Sequence, residues 1–324
     1  MAKDIDAAIE LQLDLMRVSA SAQGDAVRIL RKLERELISE VAASKYTEWR
    51  KSRVNAQLKE IRTAITDYYA RVGSVTQENI SGVAGIAAKA TTVAISTTAV
   101  LPSAAVLSSL ASDSVVQGAI LKDWWAKQSA DTAFKFGQAV RQGIAGSETN
   151  QQIIKRVSQF MSVSKSNAAA LVQTATATIA NDARMAVYAE NEDIIEVYRA
   201  LATLDTATCE FCAPLDGLSW EKDGTPIGHG YPIPNYPLHP NCRCILTGRV
   251  TREEPGGKRA TAGGPIAAKT KFSDWLETIS KERQNEMLGP GRADLFRSGK
   301  ITLSDLVSGT GRPLTLAQLE KKYT

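Results

Sequence analysis

Apolar residues in the first part of the chain recur every three or four positions, with polar residues between them. This spacing places the apolar side chains along one side of an α-helix, where they can pack against another helix. Two such stripes are Leu30, Leu33, Leu37 and Val41, and Val54, Leu58, Ile61, Ile65 and Tyr69. Because only Pro102 precedes Pro214, little interrupts a helix in this region. We predict a helical N-terminal arm over residues 1–120 that packs on itself or on a partner.

Further helices are predicted after this arm, at Trp124–Gly146, Asn150–Met161 and Asn167–Ala189. Gly146 is typical of the residue that ends a helix, and Ser164 or Ser166 can cap the start of the last one. The pattern therefore stays helical up to about residue 190.

The segment Ala90–Ser112 contains no charged residue over 23 positions. Nine of these residues are Ser or Thr, and Pro102 lies in the middle. A membrane-spanning helix requires about 20 predominantly apolar residues. We therefore expect this segment to be buried by helix packing and not to cross a membrane.

The periodicity changes after the helices. Ile194–Leu204 is rich in β-branched and large apolar residues and predicts a β-strand, as does the shorter Arg243–Val250. Two strands that flank one loop would pair antiparallel and bring the ends of that loop together. The two strands and the helices before them define a small α+β domain over residues 121–250.

The rest of the chain predicts a linker and a short helical tail. Thr251–Thr270 is rich in Gly and Pro, which is typical of a linker over residues 251–270. In the tail, residues 271–324, Ser273 can cap a helix that Gly289 ends, and Gly291–Ser298 and Leu314–Lys322 are two more short helices. The fold class is therefore α+β, with a long and mostly helical N-terminal region, a small antiparallel-sheet domain and a helical tail.

Length and charge set limits on the function. A chain of 324 residues is long enough for more than one folding unit, since single cores seldom grow beyond about 250–300 residues. The formal net charge is +4, and from Thr251 onward there are 13 Lys or Arg against 9 Asp or Glu, so this tail carries the whole excess. This balance predicts mild attraction to acidic partners and does not indicate a dedicated nucleic-acid binder.

All four cysteines and both histidines fall between Cys209 and Cys244, a stretch of 36 residues. Cys209 and Cys212 have the i, i+3 spacing of a zinc knuckle, and His239 and Cys242 repeat that spacing. The first residues of the chain show no secretory signal, so we expect a reducing cytoplasm, which favours a metal over disulfides. We predict that a Zn²⁺ ion clips the two strands together at the ends of their loop.

Five residues compete for the four positions of a tetrahedral zinc ion. Cys244 lies two residues beyond Cys242, where a strand points both side chains the same way, so it can replace Cys242 or His239. Three thiolates plus an imidazole and an all-thiolate set both stay open, as do disulfides or merely neighbouring buried cysteines. A catalytic zinc keeps an open position beside a Glu or His that moves protons. Because five ligands can close the site and neither His-x-Glu nor His-Glu-x-x-His occurs, we predict a structural ion and no enzyme activity.

Other polar residues near the cysteines have structural interpretations. His229 lies in a Gly- and Pro-rich run and is expected to be a loop histidine rather than a ligand. Asp216-Gly217 is typical of a turn, and Asp205 can cap the turn that holds Cys209. Arg243 could contact an anion, although a structural role beside the ligands is at least as well supported. The sequence also has no Gly-x-Ser-x-Gly and no phosphate-binding Gly-x-x-x-x-Gly-Lys-Ser/Thr motif.

The cysteine region resembles the phage Mu F-like family of minor head, or head morphogenesis, proteins of tailed bacteriophages. The resemblance rests on the strings Leu204-Asp205-Thr-Ala-Thr-Cys209-x-x-Cys212-x-x-Leu-Asp216-Gly217 and His239-Pro-Asn-Cys242-Arg-Cys244. Less specific likenesses lie at Val140–Gly146 and Leu288–Val307. The resemblance covers about residues 120–320.

This resemblance implies a virion structural protein, present in few copies in the capsid interior or at the portal vertex, and in the host cytoplasm during assembly. The implied partners are the portal protein and the major capsid or scaffold proteins, with packaged double-stranded DNA as a further possibility and no small-molecule substrate. Two alternatives stay open. One is a zinc-scaffolded nuclease or internal toxin that uses His229. The other is a DNA-binding internal head protein, whose binding through the basic tail would depend strongly on salt.

Overall fold

A computed structural model of the chain describes residues 2–46, 50–253, 256–261, 264–308 and 314–323. The chain folds into two compact units. The first consists of Met1–Ala90 and Pro102–Ala183, and the second of Thr91–Leu101 and Arg184–Thr324. The α+β fold class is confirmed, because long helices fill the first part of the chain and small antiparallel sheets lie in the second. The functional division at about residues 120, 250 and 270 stays a prediction.

The first unit is built from helices. Their bounds are α1 (Ala2–Ala43), α2 (Lys51–Ile80), α3 (Val83–Ile95), α4 (Ala104–Asp113), α5 (Leu121–Ala145) and α6 (Asn150–Glu190). Two short strands, β1 (Val115–Val116) and β2 (Ala119–Ile120), pair antiparallel between α4 and α5. The last residues of α3 and α6 belong to the second unit.

The predicted apolar stripes form the core of this helical unit. All four stripe residues of α1 are buried, and so are those of α2 apart from the half-buried Leu58. α2 packs against both α1 and α5. At the contact with α5, the Tyr69 hydroxyl lies 2.9 Å from Thr132 Oγ1, so this buried hydroxyl has a hydrogen-bond partner.

Helix α6 is longer than the sequence pattern predicts. The two helices expected at Asn150–Met161 and Asn167–Ala189 are one continuous helix, Asn150–Glu190. Ser164 does not cap a new helix, because its hydroxyl donates to the carbonyl of Phe160, one turn earlier, at 3.0 Å. The polar run around Ser164 contains neither Gly nor Pro, so nothing in it ends a helix.

The expectation that Ala90–Ser112 is buried by helix packing is wrong for its second half. Pro102 separates the end of α3 from α4, and Ser103 caps α4 through the amide of Val106. Ala111 is the buried residue of α4, whereas Val106 is 39% exposed. Among the described residues, every helix is too short or too polar to span a bilayer.

The second unit contains a three-stranded antiparallel sheet in the order β4-β3-β5. Its strands are β3 (Val197–Leu201), β4 (Ser219–Glu221) and β5 (Ile245–Arg249). The predicted antiparallel pairing of the two strands that flank the cysteine loop is confirmed, with Ala200 opposite Leu246. Strand β4 was not predicted, since three residues are too few to show an alternating pattern.

The segment predicted as a linker, Thr251–Thr270, contains a hairpin within its described residues. Strands β6 (Lys258–Thr261) and β7 (Gly264–Ala267) pair antiparallel, and Thr261 also forms a bridge with Leu204. Gly and Pro are as typical of hairpins as of linkers, so composition did not distinguish the two. The described part of this segment is held to the sheet region.

The C-terminal tail packs into the core of the second unit. Its helices are α7 (Phe272–Thr278), α8 (Lys281–Leu288), α9 (Pro290–Arg297) and α10 (Leu316–Tyr323). The predicted helix between Ser273 and Gly289 is therefore two helices, and Ser280 caps the second of them. Phe272 and Leu276 are fully buried in one cluster with Trp220 and Cys212. The tail thus supplies apolar surface that the short strands alone do not have.

The short segment Thr91–Leu101 is held in the second unit by a two-way hydrogen bond. Val100 N donates to Asn191 Oδ1 at 2.7 Å, and Asn191 Nδ2 donates back to Val100 O at 2.8 Å. Asn191 is itself buried.

Candidate metal centre

The first cysteine pair sits in a tight turn that leads into a 3-10 turn at Ala213–Leu215. The amides of Cys212 and Ala213 both donate to the carbonyl of Cys209, at 3.1 and 3.0 Å. The amides of Phe211 and Cys212 also donate to the Cys209 sulfur. This turn points the two side chains to the same side and supplies N–H donors to a thiolate, as a zinc knuckle requires.

The second pair sits in a matching turn just before β5. Cys242 N donates to His239 O at 3.1 Å, and Asn241 between them has a φ of 62°. Asn tolerates this left-handed conformation better than most residues, which explains its place in the turn. Cys244 follows immediately before β5, so the strand fixes the direction of the last sulfur.

The antiparallel pairing of β3 and β5 brings the two turns together. The His239 Nε2 atom lies 3.0 Å from Cys209 Sγ and 3.5 Å from Cys212 Sγ, and Cys212 Sγ lies 3.7 Å from Cys242 Sγ. Two groups of potential ligands result, Cys209 with Cys212 and His239, and Cys212 with Cys242 and Cys244. Within each group the ligand atoms lie within 4.8 Å of one another. Cys212 belongs to both groups, so all five predicted residues meet around it.

The four cysteines are free thiols, so the disulfide alternative is excluded. A disulfide would place two sulfurs about 2.05 Å apart, whereas Cys212 and Cys242 are separated by 3.7 Å. Cys212, Cys242 and Cys244 are buried, and Cys209 is half-buried. The arrangement is a cluster of soft donors with limited access to solvent.

The imidazole of His239 is oriented by the backbone of the next residue. Its Nδ1–H donates to the carbonyl of Pro240 at 2.8 Å, which leaves Nε2 facing the sulfurs. Metal-binding histidines are commonly held in this way, with the second nitrogen bonded to a carbonyl or carboxylate. Hydrogen bonds with Cys209 and Cys242 raise the pKa of His239 to about 10.

The sulfurs influence one another strongly. Hydrogen bonding with Cys212 lowers the pKa of Cys209 to about 4. The pKa of Cys212 is raised instead, by its hydrogen bonds with Cys209, Cys242 and Cys244 and by burial. Crowded, buried thiols resist carrying several negative charges at once. A divalent cation would remove this penalty, so the chemistry of the donor set fits a metal ion.

Asp205 and Arg243 stabilise the loops that carry the ligands. The Arg243 guanidinium donates to both carboxylate oxygens of Asp205, with Nη2–Oδ1 at 2.7 Å. Asp205 Oδ1 also accepts from the amide of Ala207 at 3.0 Å, which is the turn-forming role expected for it. The structural interpretation of Arg243 is favoured, because its guanidinium is paired with a carboxylate of the same site.

His229 lies in the loop after β4 and is in neither ligand group. Its Nε2–H donates to Ser219 O at 2.9 Å, and its Nδ1 accepts from the amide of Tyr231 at 3.2 Å. The ring also makes an edge-on contact with Trp220, with centroids 4.9 Å apart. Both nitrogens are therefore engaged with backbone groups, as expected for a structural loop histidine.

Sequence reasoning missed a buried ion pair next to the centre. The Asp216 side chain is 1% exposed and accepts two hydrogen bonds from Arg259, at 2.9 and 3.0 Å. It also accepts from the amides of Ala202 and Phe272, at 2.8 and 2.7 Å. Asp216-Gly217 does form the predicted turn, with Gly217 at a φ of 78°, but the carboxylate also joins β3, the hairpin and α7. Arg259 lies too far along the chain for spacing to indicate this pairing.

A second ion pair connects the first cysteine turn to the tail. Arg292 in α9 donates to the carboxylate of Glu210, which lies between the two cysteines of that turn. The side chains of both residues are largely buried. The tail therefore contacts the turn that carries Cys209 and Cys212, as well as the core of the unit.

The geometry supports binding and holding an ion more directly than catalysis. Neither ligand group contains a carboxylate, and the five donors are more than a tetrahedral ion needs. The ligands come from two turns held by β3 and β5, so an ion here would fasten the ends of these two strands.

Comparison with protein families shows what part of the chain is similar to. Residues 135–247 match the family model described as Phage Mu protein F like protein. No curated protein and no solved structure gives a significant match. The matched region is shorter than the resemblance drawn from the sequence, but it includes the C-terminal part of α5, all of α6, strands β3 and β4, the start of β5 and all five potential ligands. This match confirms the resemblance over residues 135–247, where the chain is similar to phage Mu protein F like proteins.

Proposed function

We propose that this chain is a minor head protein of a tailed bacteriophage that acts as a structural, non-enzymatic factor in head assembly. The observation that carries the proposal is the position of the family match, which encloses the whole cysteine and histidine cluster. In this proposal the protein joins the procapsid near the portal, with the portal protein and the major capsid or scaffold proteins as partners. It is found in the host cytoplasm during assembly and later in the virion.

We propose further that the cluster binds one structural Zn²⁺ ion. Cys209, Cys212 and Cys242 would supply three ligands, and His239 or Cys244 the fourth. Two sulfurs on one tetrahedral zinc at about 2.3 Å each lie roughly 3.8 Å apart, and the 3.7 Å between Cys212 and Cys242 agrees with this spacing. Zinc suits the task because the strands are short and metal binding adds folding free energy of order 10 kcal/mol.

The nuclease alternative has no support in the site geometry. A catalytic histidine must exchange a proton with substrate or water, but both ring nitrogens of His229 are bonded to backbone groups. The DNA-binding alternative loses part of its basis as well. The excess positive charge lies from Thr251 onward, and four arginines of this region are already paired with carboxylates of the same chain, namely Arg252, Arg259, Arg292 and Arg297.

Co-expression with the portal protein of the same phage genome, followed by affinity purification of the portal, tests the proposal. We expect the chain to co-purify with the portal and to contain close to one zinc per molecule by elemental analysis. Portal free of this chain would contradict the assembly role, and a folded chain without metal would contradict the zinc site.

Two single variants identify the fourth ligand. If His239 binds the ion, His239→Ala loses zinc more readily to a chelator than Cys244→Ser does, and the reverse order assigns Cys244. If both variants hold zinc as tightly as the unmodified chain, the proposed ligand set is wrong.

A further inference from the structure

The helical unit has an open groove along the contact between α2 and α5, with a volume of about 840 Å³. The two helices run antiparallel there, because Gly73 of α2 lies against Trp125 while Tyr69, one turn earlier, reaches Thr132. The residues that line the groove on α2 extend from Arg62 to Gln77, about 22 Å of helix.

The groove is apolar and shallow enough for another helix. Tyr69 and Trp125 form its floor, and both are buried. Its walls carry mostly small side chains, among them Ala70, Ser74, Ala126, Ala130 and Ala133. Small residues let a neighbouring backbone approach closely, and the length of the groove corresponds to about four helical turns.

Phe134 stands at one end of the groove and is 69% exposed. No other large apolar residue among those described is as exposed. A phenyl ring at the edge of an apolar groove gains burial when a partner covers it, so contiguous apolar surface of this kind is typical of a binding site.

The charges that line the groove have one sign. Arg62 lies at the Phe134 end and Lys122 at the opposite end, and both side chains are exposed. Neither forms an ion pair with a carboxylate of the described residues, and no acidic side chain lines the groove. A ligand with acidic groups near both ends and an apolar middle would complement this pattern.

We propose that this groove binds an amphipathic α-helix of a partner protein, with an apolar stripe between acidic residues near its two ends. Such a helix would lie along α2 and α5, insert its stripe between the small residues, cover Phe134 and place its carboxylates near Arg62 and Lys122. This is the helix-in-groove mode of recognition. The site lies within the helical unit and shares no residue with the metal centre, so the two proposals can fail separately.

A synthetic helical peptide of about 18 residues tests this proposal with the full-length chain. The probe has leucines at i, i+3, i+4 and i+7 in an alanine background and glutamates in its first and last turns. A second peptide has lysines in place of the glutamates. By fluorescence anisotropy at low salt, we expect the acidic peptide to bind at least about tenfold more tightly than the basic one.

Variants of the groove give a sharper result. Ala130→Glu places bulk and negative charge in the groove and should weaken binding of the acidic peptide at least about tenfold. Ala64→Glu is the matched control, since Ala64 is an exposed α2 residue outside the groove lining. The double variant Arg62→Glu with Lys122→Glu should reverse the preference, so that the basic peptide binds more tightly. A reversal of this kind cannot come from misfolding.

Three outcomes would overturn the proposal. The first is equal affinity for both peptides, or no binding of either. The second is equal binding by the Ala130→Glu and Ala64→Glu variants. The third is a dimer, seen by sedimentation, that Ala130→Glu dissociates, because the groove would then be the contact between two copies of this chain.

Discussion

The two units of the chain reach stability by different routes. The helical unit buries long stripes of apolar residues, whose members lie three or four positions apart on α1 and α2. The second unit has strands of three to five residues and is held by the thiol cluster, the Asp216–Arg259 pair and the helices of the tail. Local repetition is enough for the first kind of core, whereas the second depends on contacts between residues far apart in sequence. Damage to one unit should therefore leave the other largely intact.

Cys212→Ser is expected to produce the largest difference in stability between the two units, because Cys212 belongs to both ligand groups. Loss of a structural zinc removes folding free energy of order 10 kcal/mol, which exceeds the net stability of most small units. We expect limited proteolysis to degrade the second unit and to leave α1, α2 and α5 protected. Treatment of the unmodified chain with a chelator serves as the control and should give the same fragments. Unchanged protection of the second unit in the variant would argue against a metal-dependent core.

A smaller effect on the same unit is expected from Asp216→Asn. The substitution keeps the size of the side chain but leaves the buried Arg259 guanidinium without its counter-charge, which costs about 3–5 kcal/mol. Pulse proteolysis along a urea gradient, read from the fragments of the second unit, should show a lower midpoint.

Asp223→Asn is the matched control for this variant, since Asp223 is an exposed residue of the same unit. It should leave the midpoint nearly unchanged. Equal midpoints for the two variants would show that the Asp216–Arg259 pair contributes little.

The converse experiment is Leu33→Ala in α1, whose side chain is fully buried in the helical unit. Removing a buried leucine typically costs about 2–5 kcal/mol, so thermal unfolding of the helices should begin at a lower temperature while the zinc content stays the same. Met16→Ala is the control, because Met16 is an exposed α1 residue. Loss of zinc in Leu33→Ala would show that the two units are not independent.

The same contrast explains which features could be predicted from the sequence. Helices α1, α2 and α5 and the gathering of Cys209, Cys212, His239, Cys242 and Cys244 follow from spacing along the chain, and the structure contains both. The antiparallel pairing of β3 and β5 followed from the loop between them. These features share one property: the residues that indicate each of them lie in one continuous segment of the sequence.

Features that depend on distant partners were not predictable. Nothing near Asp216 indicates that its carboxylate accepts from Arg259 and from the amide of Phe272, because both lie beyond the cysteine loop. The β6–β7 hairpin has the composition of a linker, and the polar stretch inside α6 has the composition of a boundary. Tertiary contacts determine the hairpin despite its composition. The polar stretch stays helical because it contains no residue that ends a helix.

The bond between Val100 and Asn191 has a consequence for how the protein is made. The segment Thr91–Leu101 emerges from the ribosome well before Arg184, with the whole of Pro102–Ala183 in between. At about 5–20 residues per second, this piece of nascent chain waits several seconds for the remainder of its unit. Because the second unit is discontinuous, a fragment that starts at Arg184 lacks the segment Thr91–Leu101 and is not the complete unit. A circular permutant retains all residues and would contain both segments.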